Sequence, residues 1–531
     1  MTLNVGNIKC NTMLTLINHK KLLLNMCRYE FIPFLVLFLL LGCQNSDDIK
    51  GQINWQKLSK EYANPKDSLK LISLQFLKEN MTDLKSETIT FYDQENNNKI
   101  NLDFRKFEND TSFFDFLDSK KISYKIHDTP DITILSTNDI RNLIEDTFEV
   151  WNKYPWSKNV SFDNFLNYLL PYKILDEYPD NWRQDLKKRF SKDLEKYNKY
   201  YYSGNDSLKK VYAQTNNLYY AFVVNRIDEL FTYNPIPQYL TNRPGFNEIS
   251  CLRYGDCFGG SYLGVYFLRS IGIPATVDII PAWGIKNGGH STEVFLNESG
   301  KMIAASGREI TGPAKVFRLM FKRQNQWKDS ISKYVDTSDF ALSHLKHNHW
   351  KDVTNEHTNS KTIFWKDPLL SDLEPSFAYI CVFNYGKWTP IYWGKSNKDK
   401  SYIFNNMGFP MLYRFAKPSK DGIKVSDAVH MVDSLGNISK INPAMYSRIS
   451  ARLHKINTGS ESWVKRGNKY DLFYINKTGE WEYLSTNKCQ TDSIIDFANI
   501  PGNTIYRLKP HKDKHELSRP FTLHENQQKW W

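Results

Sequence analysis

At 531 residues the chain is too long for a single hydrophobic core, and roughly two to four domains are expected. With 41% hydrophobic and 15% aromatic residues it is globular, which excludes a disordered or low-complexity chain. The formal net charge of +12 is spread without a dense Lys/Arg block or a nucleic-acid-binding motif, so it reads as solvated surface and no nucleic-acid partner is expected.

The N-terminus sets the expected compartment. Phe31–Leu41 is an apolar run too short to span a bilayer and of the length of a signal-peptide core. It ends Leu40-Leu41-Gly42-Cys43, which resembles the bacterial lipobox. That resemblance implies removal of residues 1–42 and a lipid anchor on Cys43, hence an outer-membrane lipoprotein on the cell surface or the periplasmic face. The run Asn45-Ser46-Asp47-Asp48 is similar to a surface-export tag. Residues 1–25 are long for the segment before such a core, so Met13 and Met26 stand as alternative starts.

Residues 43–60 read as a tether and 61–235 as a mostly helical region. Asn64-Pro65-Lys66-Asp67-Ser68 caps a helix carrying Leu69, Leu71, Ile72, Leu74, Phe76 and Leu77. Alternation at Glu87–Tyr92 follows, then a helix from Thr137 through Trp151. Phe162, Phe165, Tyr168 and Leu169 lie at helical spacing. Two long helices are expected at Asp185–Tyr202, charged and solvent-facing, and at Asp206–Leu230, packed.

The stretch from Tyr254 to Asp278 carries the chemistry. A glycine turn delivers Cys257 to the start of a helix in which Leu263, Tyr266, Phe267 and Ile271 recur at helical spacing. Gly272 fits a C-cap and Pro274 bars continuation, so Ala275–Ile280 begins a strand. A cysteine at a helix N-terminus sits at the positive end of the macrodipole, which favours thiolate. The next strand, Gly288-Gly289-His290-Ser291-Thr292-Glu293-Val294-Phe295-Leu296, supplies a base.

Cysteine on a helix, a strand, then histidine on the following strand resembles the transglutaminase-like core, a rearranged relative of the papain fold. The resemblance implies a core over 236–328 with Cys257 as nucleophile and His290 as base. The third catalytic position falls on Ser306, at the end of the strand Lys301–Ser306; a serine can accept a hydrogen bond from imidazole but carries no charge. Glu309 and Asp278 are the other candidates to orient His290. The resemblance places Asp256, Trp283 and Gly289 against substrate. Pro171-Tyr172 and Asn181-Trp182-Arg183 are similar to a segment preceding the core in bacterial transglutaminase-like lipoproteins, where such residues surround the site. The ending Phe521–Trp531 also resembles that group.

Residues 329–375 are charged and loop-like and read as a linker. A β-domain is expected over 376–439, with a hairpin of Phe377–Phe383 and Trp388–Trp393 and strands Ser401–Phe404 and Met411–Phe415. A β-sandwich domain is expected over 440–531, with strands Tyr470–Ile475, Trp481–Leu484, Ser493–Phe497 and Thr504–Leu508. The fold class is therefore α+β: helical region, transglutaminase-like core, C-terminal β-sandwich domains. The aromatic residues Trp388, Tyr392, Trp393, Tyr470, Tyr474, Trp481 and Tyr483 suit a sandwich core or a sugar platform.

Cys10 and Cys27 go with the signal, leaving Cys251, Cys257, Cys381 and Cys489, and no Cys251–Cys257 disulfide is expected because it would block the nucleophile. No spacing resembles a zinc site, and His344, His347 and His349 read as surface histidines. Neither metal nor cofactor is expected. Two functions compete: a cell-envelope thiol enzyme acting on an amide bond of a peptide, protein or glycopeptide through a thioester, and a weakly active or inactive scaffold that binds glycan or protein through its β-domains.

Overall fold

The computed structural model describes residues 46–305, 310, 312–324, 348–366, 377–397, 399, 401–419, 422–441, 443–513, 517–525 and 527–531. Cys43, Ser306, Glu309, His344 and His347 lie outside the described residues.

The chain mixes helices with antiparallel sheets, an α+β architecture, and its central element is the helix Cys257–Ser270. Leu263, Val265, Phe267 and Leu268 are fully enclosed, and each such side chain contributes about 1.5–3 kcal/mol by leaving water. The helix stops where the sequence says it should. Gly272 adopts φ +85°, a left-handed conformation open to glycine, and Pro274 follows directly. The chain then enters Ala275–Ile280, which pairs antiparallel with His290–Leu296 in the register Ile280↔His290 and Ala275↔Phe295. Their sheet has the order 350–352, 317–319, 275–280, 290–296, 302–304. One face packs on the helix, where Glu293 meets Gly264.

Trp182–Ser203 covers the other side of that helix. It was expected to face solvent, yet Trp182, Leu186, Phe190 and Leu194 are buried. The Phe190 ring packs edge-on against Phe267 at 5.3 Å and Trp182 lies 5.0 Å from Tyr266. Asp206–Leu230 is not one helix. Gln214 is extended and separates Asp206–Ala213 from Thr215–Tyr219, and a π-helical turn at Tyr220–Val224 precedes Asn225–Leu230.

The preceding region carries a sheet as well as helices, in the order 99–100, 85–93, 122–130. Ser136 caps Thr137–Lys153 in a reciprocal capping box with Asp139. Pro171, Tyr172, Trp182 and Arg183 serve the core of this region, and Asn181 is exposed. Trp182 Nε1 donates to Tyr172 O at 2.9 Å, Arg183 donates to Pro171 O at 3.0 Å, and the Tyr172 hydroxyl donates to Asp131, itself paired with Lys173 at 2.6 Å.

The described residues of 329–375 include two strands. Trp350–Asp352 is the edge strand of the core sheet, and Ser360–Lys366 is the edge of a sheet ordered 360–366, 401–408, 387–396, 377–384, 411–419, 422–432, 438–440. His349 is buried and not a surface residue. Its Nδ1 lies 2.9 Å from Phe321 O and its Nε2 3.4 Å from Asp83. In the final region a two-stranded sheet of 444–453 and 495–502 and a sheet ordered 481–488, 469–475, 506–510, 520–524, 527–530 share one core of Leu453, Leu472, Phe497, Leu508 and Phe521. Trp388, Tyr470 and Tyr474 are buried in cores, whereas Tyr483 is exposed. No described helix is long and apolar enough to cross a membrane.

Candidate active site

The turn that carries Cys257 is shaped by Tyr239. A β-carbon on Gly255 or Gly259 would lie 1.9 or 2.3 Å from the Tyr239 hydroxyl, so neither position accepts a side chain while that phenol is in place. The Asp256 N–H donates to the Tyr239 oxygen at 3.0 Å, and the hydroxyl donates to Asp256 Oδ1 at 3.3 Å. Burial and the adjoining carboxylate push the phenol well up, so it stays protonated as a donor. Asp256 Oδ1 also accepts from Phe258 N–H at 2.9 Å and Gly259 N–H at 3.2 Å, capping the helix. The carboxylate expected against substrate is thus committed to the cap. It also occupies two helix-start donors that could otherwise hold an oxyanion.

Cys257, the first helical residue, is half-buried, and its thiol has no hydrogen-bond partner among the described residues. Cys251, Cys381 and Cys489 are buried free thiols, and no disulfide joins Cys251 to Cys257. Burial pushes Cys251 up to about 11, and Cys381 further in the same direction. Tyr233, on a short strand paired in parallel with Tyr254–Gly255, reaches the same turn. Slight burial, then the neighbouring Cys257 and Asp256, raise its phenol. Tyr233, Tyr239 and Arg243, whose guanidinium lies 4.3 Å from the Phe258 ring centre, were not singled out from the sequence. Only their spacing from Cys257 could have drawn attention to them.

His290 opens its strand. Alternation puts Ser291 and Glu293 toward the Cys257 helix, and His290 stands with Thr292, its ring stacked on Trp283 at 5.9 Å and 30°. Trp283 is buried beneath Lys286, whose ammonium lies 4.1 Å from its ring centre, so it supports the imidazole more than it presents a surface to substrate. A β-carbon at Gly289 would meet the carbonyls of Ile280 and Pro281 at 2.9 Å, so this glycine closes the hairpin. The helix and strand lie side by side, Gly264 against Glu293, with Cys257 and His290 at their starts. Among the described residues no hydrogen bond joins the two.

Asp278 is excluded as the residue orienting His290. It accepts both Arg318 nitrogens at 2.9 Å and lies 2.6 Å from His357 Nε2. Burial works to raise this carboxyl, but Arg318 and His357 hold it below the ordinary range. Arg318 also pairs with the exposed Glu356 at 2.8 Å.

No group of described His, Cys, Asp and Glu residues could hold a metal ion. No family model and no curated protein matches the chain. Among solved structures, red sea bream transglutaminase is similar over 82% of this chain and 76% of that chain, at 8% identity and a TM-score of 0.19. A tetra-tandem repeat in the extending region of a large adhesion protein is similar over 46% of this chain and 64% of that one, at 7% identity and a TM-score of 0.11. Likenesses at that level assign neither fold nor activity.

Proposed function

We propose that the chain is an envelope lipoprotein, anchored through Cys43, that cleaves or transfers an amide bond of a peptide or glycopeptide at Cys257. In this reading the His290 ring turns from Trp283 toward the helix start, takes the thiol proton as sulfur attacks the carbonyl carbon, then gives it to the leaving amine as the C–N bond breaks. Water or a second amine resolves the thioester and regenerates the thiol. With the Phe258 and Gly259 amides capped by Asp256, this reading gives the oxyanion to the Cys257 N–H and the Tyr233 hydroxyl. Ser306 or Glu309 remains the proposed orienting group for His290.

One observation carries the reading: of the four described thiols, Cys257 alone is accessible, and it stands at the N-terminus of a buried helix. Intact-mass labelling with iodoacetamide at mildly acidic pH tests it. A single fast adduct is expected, lost in Cys257→Ala and slowed at least tenfold in His290→Ala. Labelling at the rate of a free thiol, indifferent to His290, would overturn the enzyme and leave the scaffold.

A further inference from the structure

We propose that Tyr385, at the tip of the β-domain hairpin, is a specificity-determining residue that receives a bulky apolar side chain on the leaving-amine side of a peptide substrate; this role rests on Cys257 and His290 acting as proposed above. The hairpin of Phe377–Asn384 and Lys387–Ser396 turns through two residues, Tyr385 and Gly386, at φ +43° and +78°. Positive φ at both central residues is the pattern of a type I′ turn, whose first position favours Asn, Asp or Gly. A bulky side chain is strained there, and Tyr385 is the only aromatic residue with positive φ among the described residues. Its side chain gains nothing locally in return. It is 52% exposed and makes no hydrogen bond or ring contact among the described residues.

The rest of the tip is fastened to the loop that carries His290. Buried Asn384 donates from Nδ2 to Trp283 O at 2.9 Å and to Gly288 O at 3.0 Å, and its Oδ1 accepts from Gly288 N–H at 3.1 Å. The Tyr385 N–H donates to Asn287 Oδ1 at 3.1 Å, and Asn287 Nδ2 donates to Leu517 O at 3.0 Å. Asn287 therefore links Tyr385 to Leu517, a second exposed apolar residue, from a distant part of the chain. The Tyr385 hydroxyl lies 3.6 Å from where a β-carbon on Gly288 would sit, two residues before His290. Trp283 is already taken up by His290 and Lys286, which leaves Tyr385 and Leu517 as the exposed apolar side chains at this loop.

His290 protonates the leaving amine in the proposed reaction, so a ring beside its loop meets the residue that this amine carries. A phenol and a leucine side chain, both open to water, gain by covering an aromatic or long aliphatic side chain and gain little from a glycine or a sugar amine.

Acyl transfer from p-nitrophenyl acetate to added amines tests the assignment in the full chain. The Cys257 sulfur attacks the ester carbonyl and nitrophenolate leaves. The amine then attacks the thioester, its C–N bond forms as the C–S bond breaks, and its proton returns to sulfur through His290. The acceptor enters where a leaving amine departs, so acceptor preference reads the Tyr385 side. Phenylalaninamide is expected to intercept the acyl-enzyme about tenfold more efficiently than glycinamide or glucosamine. In Tyr385→Asn, which gives the turn its favoured Asn-Gly pair, that preference should fall about tenfold while the thermal midpoint holds or rises and Cys257 acylates at the same rate. Tyr385→Phe keeps the ring and should keep the preference. Acylation of Cys257 no faster than that of free cysteine sinks the thiol reading and this role with it. Fast acylation with no preference for phenylalaninamide, a preference that Tyr385→Asn leaves intact, or one lost equally in Tyr385→Phe overturns the role of Tyr385 alone.

Discussion

Asp180 is a carboxyl held in the wrong place for its charge. It accepts from Asn247 N–H and Nδ2, both at 2.8 Å, and burial, with Glu248 and Glu177 nearby, pushes it up to about 7. In the unfolded chain its value is about 3.9, so between those limits the folded state binds the extra proton. Its contribution to stability is fully present below about pH 4 and is lost as pH rises through 7. Glu177 and Glu248 are raised by the same burial and act with the same sign. Asp180→Asn should therefore flatten the fall in stability between pH 4 and 7 by on the order of 2 kcal/mol, a figure already reduced for partial solvent contact. Urea melts of both proteins across that range check it, and parallel pH profiles would rule the account out. Such residues are hard to read from sequence. Asp278 suggested an active-site carboxylate and His349 a surface histidine, because residue type says nothing of the Arg318, His357, Asp83 or Phe321 that meets each one in the fold.

At the scale of elements, the Cys257 helix was legible because local signals agreed: a glycine turn, an apolar face and a Gly-Ile-Pro stop. The breaks in 206–230 were not. No proline or glycine marks Gln214 or the π-helical turn at Tyr220–Val224, whose Phe222 and Val223 are buried in the same core as the central helix. What sequence could not reveal at the helix start is why glycines flank Cys257. The Tyr239 hydroxyl, 1.9 and 2.3 Å from where β-carbons on Gly255 and Gly259 would sit, is the reason. Gly259→Ala must displace that phenol and loosen the Asp256 turn, costing about 2 kcal/mol despite the better helix propensity of alanine. Adding Tyr239→Phe removes the clashing oxygen, so the double variant should recover about half of that loss. Strictly additive losses in thermal melts would show that Tyr239 does not set the turn.

Across the whole molecule, long strands were visible in the sequence and their partners were not. Phe377–Asn384 and Lys387–Ser396 form the hairpin that alternation suggested. Trp350–Asp352 is three residues long, carries no period, and gains its place only by pairing with Phe317–Leu319. The same non-local logic joins the last region to the candidate site through Arg519, which is 1% exposed. Its guanidinium donates to the carbonyls of Gly284 and Phe383, to Trp531 O at 2.7 Å and to Asn287 Oδ1 at 3.3 Å. One side chain thus pins the 284–287 loop, the 377–384 strand and the final residue together. Burial lowers it to about 9, and those acceptors supply the compensation that a buried cation needs. Arg519→Met keeps much of the volume and strands the three carbonyls, for a loss of about 3 kcal/mol. Because the loop leads directly into Gly288, Gly289 and His290, that loss should have a local address. Hydrogen exchange at Trp283 and Gly288, whose N–H groups donate to Gly288 O and Asn384 Oδ1, should quicken at least tenfold, and the exchange rate at Leu263 should change much less. Equal acceleration at all three would make Arg519 a general stabiliser, whereas the local pattern makes the last region a strut for the histidine loop.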